Sequence, residues 1–231
     1  MPRVHVAIRR TLPTAAALAV LGLAAGAGAQ SLALATDRPG TMMNAVGSGV
    51  AKVVSAPGRL NVAVRPYAGP TAWMPLLDGG EVQLGVLSSN SAWQAFNGAG
   101  EVKQPMRNMR LLRSGTGSLF LGFIVAAKSP IRTVQDLKGR RVSSDFGGHV
   151  SIPSSIAATL ATAGLKWSDV TPVPVVGAND GVEALVAGRL DASWASLGMP
   201  QVREAHAKIG IRYLSLPNSP EALATWRKIT F

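Results

Sequence analysis

Apolar runs of strand length alternate with amphipathic stretches from residue 32 onward. Leu32-Ala-Leu-Ala-Thr36 predicts a short strand, and residues 40–54 a helix with small residues along one face. Leu60-Asn-Val-Ala-Val64 alternates apolar and polar, the period of a strand, and breaks at Pro66. Residues 74–77 predict a short helix ended by Gly79 and Gly80, residues 82–87 a buried strand, and residues 91–96 a helical turn. Strand and helix in turn imply a mostly parallel sheet with helices packed on it.

A second series follows. Residues 119–127 form a long apolar strand, a short helix ends at Gly139, and a new strand starts at Arg141. Residues 152–163 read as a helix that tolerates Pro153 in its first turn. Strands at 173–176, 190–195 and 211–216 alternate with helices at 180–188 and 201–209, the first of these presenting Val182, Leu185 and Val186 on one face. Pro217 to Pro220 and residues 221–231 read as a crossover and one short helix carrying Leu223, Trp226 and Ile229. Two α/β lobes with a cleft between them is the architecture this order predicts.

The first residues change the picture of where the chain works. Arg3, Arg9 and Arg10 precede the uncharged run from Thr14 to Ala25, and Ala27-Gly28-Ala29 has the small residues a signal peptidase reads. The expectation is a secretory signal over 1–29, cleaved before Gln30, by the general or the twin-arginine route. The apolar run is shorter than the roughly 20 residues a bilayer span needs. No cysteine is present, which excludes disulfides, thiol catalysis and cysteine metal sites. The formal charge is +11, but the basic residues are scattered, with no run and no aromatic interleaving of the kind that binds nucleic acid. A diffuse positive field raises the local concentration of anions.

Four polar or glycine-bearing segments fall where strands hand over to helices, the place where open α/β sheets bind ligands. They are Thr36 to Thr41, Tyr67 to Thr71, Ser88 to Ser91, and Asp145 to His149. Helix N-termini offer unsatisfied N–H donors to carboxylates or phosphates. No G-x-S-x-G elbow, P-loop or G-x-G-x-x-G occurs, and His149 and His206 lack metal-ligand spacing. His149 has no carboxylate in its own segment; Asp37, Asp145 and Asp191 could in principle pair across the cleft, which spacing alone does not show. The chain reads as a binder without cofactor or metal, not as an enzyme.

Several of these segments, in order, resemble the TAXI-type solute-binding proteins of TRAP transporters. Leu84-Gly-Val-Leu-Ser-Ser-Asn-Ser-Ala-Trp-Gln-Ala-Phe-Asn-Gly98 is similar to that family's strand, serine-aspartate turn and aromatic-bearing helix. Ala35 through Gly40 to Gly47 is similar to its glycine-rich first loop, Val134-Gln-Asp-Leu-Lys-Gly-Arg-Arg-Val-Ser143 to its entry into the second lobe, and Gly147-Gly148 to its second glycine loop. Gly188-Arg-Leu-Asp-Ala-Ser-Trp194 and Gly198-Met-Pro200 are similar to the strand and turn that face the cleft. Met42 and Met43 stand where the family carries tyrosine, and Asn90 where it carries aspartate.

The resemblance implies an α/β, two-lobed, periplasmic-binding-protein-like fold of type II. The expected division is a first lobe over 30–122, a second over 123–217 and a partial crossover back to the first over 218–231. Because the chain stops at Phe231, short of the usual family length, the first lobe is expected to be incomplete, with an apolar patch near the hinge covered by self-association. The implied function is a periplasmic receptor that captures a small anionic solute (a dicarboxylate, amino acid or oxo acid) and delivers it to a TRAP-type membrane permease. An exported interaction protein that keeps the fold without transport is the alternative. The candidate contacts are Thr36, Arg38, Gly40 and Thr41 in the first loop, and Tyr67, Gly69 and Thr71 in the second. Ser89, Asn90 and Trp93 follow, then Gly147, Gly148, His149 and Trp194 from the second lobe. Arg38 is the sharpest of these, since a guanidinium pairs with a carboxylate through two hydrogen bonds.

Overall fold

The computed structural model describes residues 30–58, 60–115 and 119–230; the expected signal, 1–29, lies outside them. The first α/β unit is built on β1 (Gln30–Asp37), α1 (Met42–Ser55), β2 (Leu60–Tyr67), α2 (Pro70–Asp78), β3 (Leu84–Gly85) and α3 (Ser89–Asn97). Its sheet has the order β2-β1-β3 and is parallel throughout, as the strand–helix alternation predicts. β1 is central, and its side chains alternate between two helical layers. Ala33 and Ala35 face Trp73, Met74 and Ala95 of α2 and α3, while Leu34 packs with Ala51 of α1 and Val62. The small residues of β1 leave room for Trp73, whose ring also lies where a Cβ on Gly85 would sit, 2.3 Å from its nearest carbon.

Two strand expectations shift. The break at Pro66 does not occur: β2 continues to Tyr67, with Thr36 opposite Pro66 and Asp37 opposite Tyr67. β2 is an edge strand, so the missing N–H removes no second ladder. The same explains Pro172 and Pro174 in β6, which pairs only with β5. The run at 82–87 shortens to the two-residue β3, because only Leu84 and Gly85 lie alongside β1.

The second unit holds β4 (Leu121–Ala126), β5 (Arg141–Asp145), α4 (Ile152–Thr162), β6 (Thr171–Val175), α5 (Ala178–Val186), β7 (Ser193–Ser196), α6 (Pro200–Ile209) and β8 (Ile211–Tyr213). β5 and β6 are parallel, and a bridge from Val142 to Ala192 brings β5 beside the start of β7. β4, however, runs antiparallel to both β7 and β8. It arrives from the first unit past the cleft instead of through a helical crossover within its own sheet, so nothing forces it parallel. Its alternation serves two cores: Phe123 and Val125 join Trp194, Phe146 and Leu160 on one side, and Ile124 joins Leu185, Met199 and Val202 on the other. Phe123 and Trp194 meet edge to face, with centroids 5.0 Å apart.

The last helix, α7 (Pro220–Thr230), lies along α4 of the second unit. Its end touches the first unit, where Asn90 Nδ2 donates to the Thr230 carbonyl at 3.5 Å. The helix buries Ala222 and Thr230 and leaves Leu223 and Ile229 exposed. Other large apolar residues are also exposed, including Val46, Val50, Val53 and Val54 of α1, Leu111 and Leu112, and Phe120 with its backbone partner Leu197. No helix among the described residues is long and apolar enough to cross a membrane.

Candidate functional site

A cleft lies between the two units. The helix starts of α1, α2, α3, α4 and α5 all reach it, through Thr41 to Met43, Pro70, Ser88 and Ser91, Ser151 and Ile152, and Ala178. Four of these starts follow the four strand-to-helix segments; that of α5 follows none of them. Much of each terminus is already satisfied. Thr41 Oγ1 accepts the Asn44 N–H at 3.2 Å and donates to the Arg38 carbonyl at 2.8 Å. Ser88 Oγ accepts the Ser91 N–H at 3.1 Å, and Ser91 Oγ lies 2.8 Å from Ser151 Oγ across the cleft. On the far wall Tyr213 donates its hydroxyl to the Ser196 carbonyl at 2.8 Å, and burial pushes that phenol up to about 12.

Two side-chain pairs tie the units together. Asp37, at the end of β1, meets His149 Nε2 through Oδ2 at 3.2 Å; the two side chains are 6% and 12% exposed. Asp37 Oδ1 and His149 Nδ1 are buried and have no hydrogen-bond partner. One residue along, the Arg38 guanidinium is paired with Asp180 at the start of α5. Asn179 Nδ2 donates to the Pro39 carbonyl at 2.8 Å, and the Gln201 N–H to the Gly40 carbonyl at 3.3 Å.

The two glycine turns meet backbone on backbone. The Thr71 N–H donates to the Gly148 carbonyl and the Thr71 hydroxyl to the Gly147 carbonyl, each at 3.2 Å. A Cβ on Gly69 would stand 2.1 Å from the Gly148 oxygen, and one on Gly148 would stand 2.7 Å from the Ala68 oxygen. Just before this turn, Asp145 and Phe146 both adopt positive φ, 66° and 47°. Two consecutive left-handed non-glycine residues are strained backbone, and such strain collects at ligand clamps and switches.

Of the residues expected from sequence, Thr41, His149 and Trp194 line the cleft. Thr36 is fully buried behind it, its hydroxyl accepting from Asn44 Nδ2 and donating to the Asp37 carbonyl. Arg38 and Gly40, and Gly69, Thr71, Gly147 and Gly148, sit at the contacts that join the units. Tyr67 is half-buried at the end of β2 and packs on the core of the first unit. Ser89, Asn90 and Trp93 lie on α3 outside the lining; Asn90 accepts from Gln94 Nε2 at 2.9 Å. Trp194 is both lining and core, nearly wholly buried.

Sequence reasoning missed Asp37 as a contact, together with Met42, Met43 and Met199 on the apolar walls. Asp37 carried a signal, since it directly follows the apolar run of β1, at the carboxyl end where ligands gather. His149, without a carboxylate in its own segment, receives one from 112 residues away. Asp191 lies apart from both, bound to Arg141, whose hydrogen bonds hold its carboxyl below the usual range.

Residues 34–228 match the NMT1-like family. No curated protein sequence matches the chain. Among solved structures, the chain is similar to the periplasmic aliphatic sulphonate binding protein SsuA from Escherichia coli: 21% identity, TM-score 0.51, 81% of this chain and 57% of that one. It is similar to the alkanesulfonate-binding protein SsuA from Xanthomonas axonopodis pv. citri bound to MOPS, at 18% identity, TM-score 0.53, and 80% and 60% coverage. It is also similar to the amino acid ABC transporter substrate-binding protein AbpA from Streptococcus pneumoniae bound to L-arginine, at 13% identity, TM-score 0.53, and 88% and 87% coverage. The chain thus spans less than two thirds of the length of the two sulfonate-binding structures. At these identities the likeness is one of fold: a two-lobed α/β periplasmic-binding-protein fold.

Proposed function

The chain belongs to the NMT1-like family, and we propose that it is an extracytoplasmic receptor that takes one small solute into the interlobe cleft and presents it to a membrane permease. The observation that carries this reading is the cleft itself, walled by helix starts from both units and bridged by hydrogen bonds from each side. The lobes of this reading are residues 30–122 and 123–217, with α7 docked on α4. The basic, apolar and small-residue pattern of 1–29 supports export and a periplasmic location. The order of motifs shared with TAXI proteins supports a TRAP-type permease as partner. An anionic solute draws support from the helix N-termini that open on the cleft, while Arg38 is occupied by Asp180.

A binder fits the geometry better than an enzyme. Asp37 and His149 form a carboxylate–imidazole pair, but no hydroxyl reaches His149 Nδ1, so no nucleophile is coupled to it. The second reading, an exported interaction protein, is favoured by the exposed valines of α1; a concentration-dependent mass in sedimentation without any ligand response would support it. The receptor reading is tested with the protein starting at Gln30. A solute at 100 times its Kd stabilises the fold by about 2.7 kcal/mol. Thermal unfolding is screened against dicarboxylates, amino acids, oxo acids, sulfonates and amines. A shift with one class, accompanied by a change in small-angle scattering, is expected. A flat response across the screen refutes the reading.

A further inference from the structure

We propose that the pole of the second unit opposite the cleft is a membrane-adsorbing face: its exposed lysines and arginines hold the protein on the anionic headgroups of a phospholipid bilayer, while the cleft stays open to solution. This goes beyond the receptor reading and does not depend on which solute the cleft takes.

The topology gathers these cations. The parallel strands β5, β6 and β7 run toward the cleft, which the starts of α4 and α5 and the end of β7 line, so the strands begin at the far pole. Arg140 and Arg141 stand at the start of β5, and the Arg140 carbonyl accepts the Thr171 N–H at the start of β6. Lys166 and Arg189 lie beyond the ends of α4 and α5, in the turns that lead into β6 and β7. β4 runs the other way and so delivers Lys128 and Arg132 to the same pole. Arg212 of β8 fastens that loop by donating to the Ser129 and Ile131 carbonyls. Lys138 follows, in a turn closed by the Gly139 N–H donating to the Asp169 carbonyl at 2.7 Å. The cations of these turns are exposed.

The carboxylates in these turns are fewer, and each is held within the fold. Asp136 accepts the Arg132 and Thr133 N–H groups at 2.8 and 2.9 Å, and Asp169 accepts the Lys166 N–H at 2.9 Å. Among the described residues, Arg141 alone of these cations is in an ion pair, with Asp191 at 2.8 Å. The ends of α4 and α5 carry roughly half a negative charge each, which offsets part of the excess and leaves the face cationic. No large apolar side chain on these turns is exposed. A protein partner is held by a desolvated apolar and aromatic centre, which this face lacks. A charged bilayer needs none, because each lysine or arginine within a Debye length of an anionic leaflet adds attraction. Export, which the pattern of 1–29 supports, brings the chain alongside a bilayer and not alongside nucleic acid.

The probes are vesicles of phosphatidylcholine alone and vesicles with one-third phosphatidylglycerol, co-sedimented with the protein starting at Gln30. Binding to the anionic vesicles is expected at low salt, with loss at about 1 M salt, where the Debye length is roughly 3 Å. Lys138→Glu combined with Arg140→Glu is expected to weaken it at least about tenfold. Lys52→Glu combined with Arg65→Glu makes the same change of net charge on exposed positions of the first unit and is expected to weaken it far less. The wild-type comparison of the two vesicles needs no variant, so it stands even if a variant fails to fold. Equal binding to both vesicles, or none to either, overturns the proposal. So does equal weakening by the two double variants, which would make the attraction one of net charge and not of this face. A DNA duplex bound more tightly than the anionic vesicles, with the same dependence on Lys138 and Arg140, overturns the bilayer as the partner. Failure of any of these leaves the receptor reading untouched, since solute binding is measured without vesicles.

Discussion

Replacing Gly69 with alanine tests whether the two glycine turns hold the lobes in register. The new methyl carbon would lie 2.1 Å from the Gly148 carbonyl oxygen, 2.6 Å from its carbon and 2.8 Å from its Cα. Carbon and oxygen sit comfortably near 3.4 Å, so the turns must part by roughly 1.3 Å. No flexible side chain stands between them to yield; the obstacle is backbone on the other lobe. Parting by that much breaks the two hydrogen bonds from Thr71 to Gly148 and Gly147, each already at 3.2 Å. At about 1 kcal/mol each, plus residual crowding, the loss is about 2–3 kcal/mol. Gly148→Ala, whose Cβ would approach the Ala68 oxygen at 2.7 Å, costs less, and Gly147→Ala, with nothing within 4 Å, costs little. None of the three glycines lies in the left-handed region, Gly69 being extended at φ 165°, so the ordering isolates close approach from backbone strain. Urea unfolding gives the ordering, and small-angle scattering reports a larger radius of gyration for Gly69→Ala. Equal unfolding midpoints for the Gly69 and Gly147 variants would refute the close approach.

Further outcomes follow from other contacts. Arg38→Ala and Asp180→Ala each lower stability by about 0.5–1 kcal/mol, because the pair is about one-third exposed and screened by solvent; a double-mutant cycle with no coupling would show that the pair is not formed. Trp194→Ala removes a core indole that packs edge-on to Phe123, costing about 3–5 kcal/mol, so it is expected to unfold the second unit in a thermal melt as well as alter binding. Asp191 is held below its ordinary value of 3.8 by its hydrogen bonds from Arg141, so the pair stabilises the fold above that value and the benefit fades as pH falls through the lowered one. Asp191→Asn is therefore less stable than the wild type at neutral pH, and the two converge in strongly acidic urea titrations; a gap that persists there would contradict the assignment.

Local pattern alone determined the sequence of strands and helices, the α/β class and the strand-to-helix segments that line the cleft. Those features depend on which face of a short element is apolar, and a window of ten residues contains that. The direction of β4 was not legible, because its partners β7 and β8 lie about 70 and 90 residues further along. Nor was the continuation of β2 through Pro66, which depends on β2 having one neighbour instead of two. The chemistry of the cleft was decided almost wholly by tertiary structure. Arg38, the evident anion partner in one dimension, is matched by Asp180, 142 residues away, while Asp37 gains His149 across a separation of 112. A side chain's charge is written in the sequence, but whether that charge is free to meet a ligand depends on what the docking of two lobes places beside it.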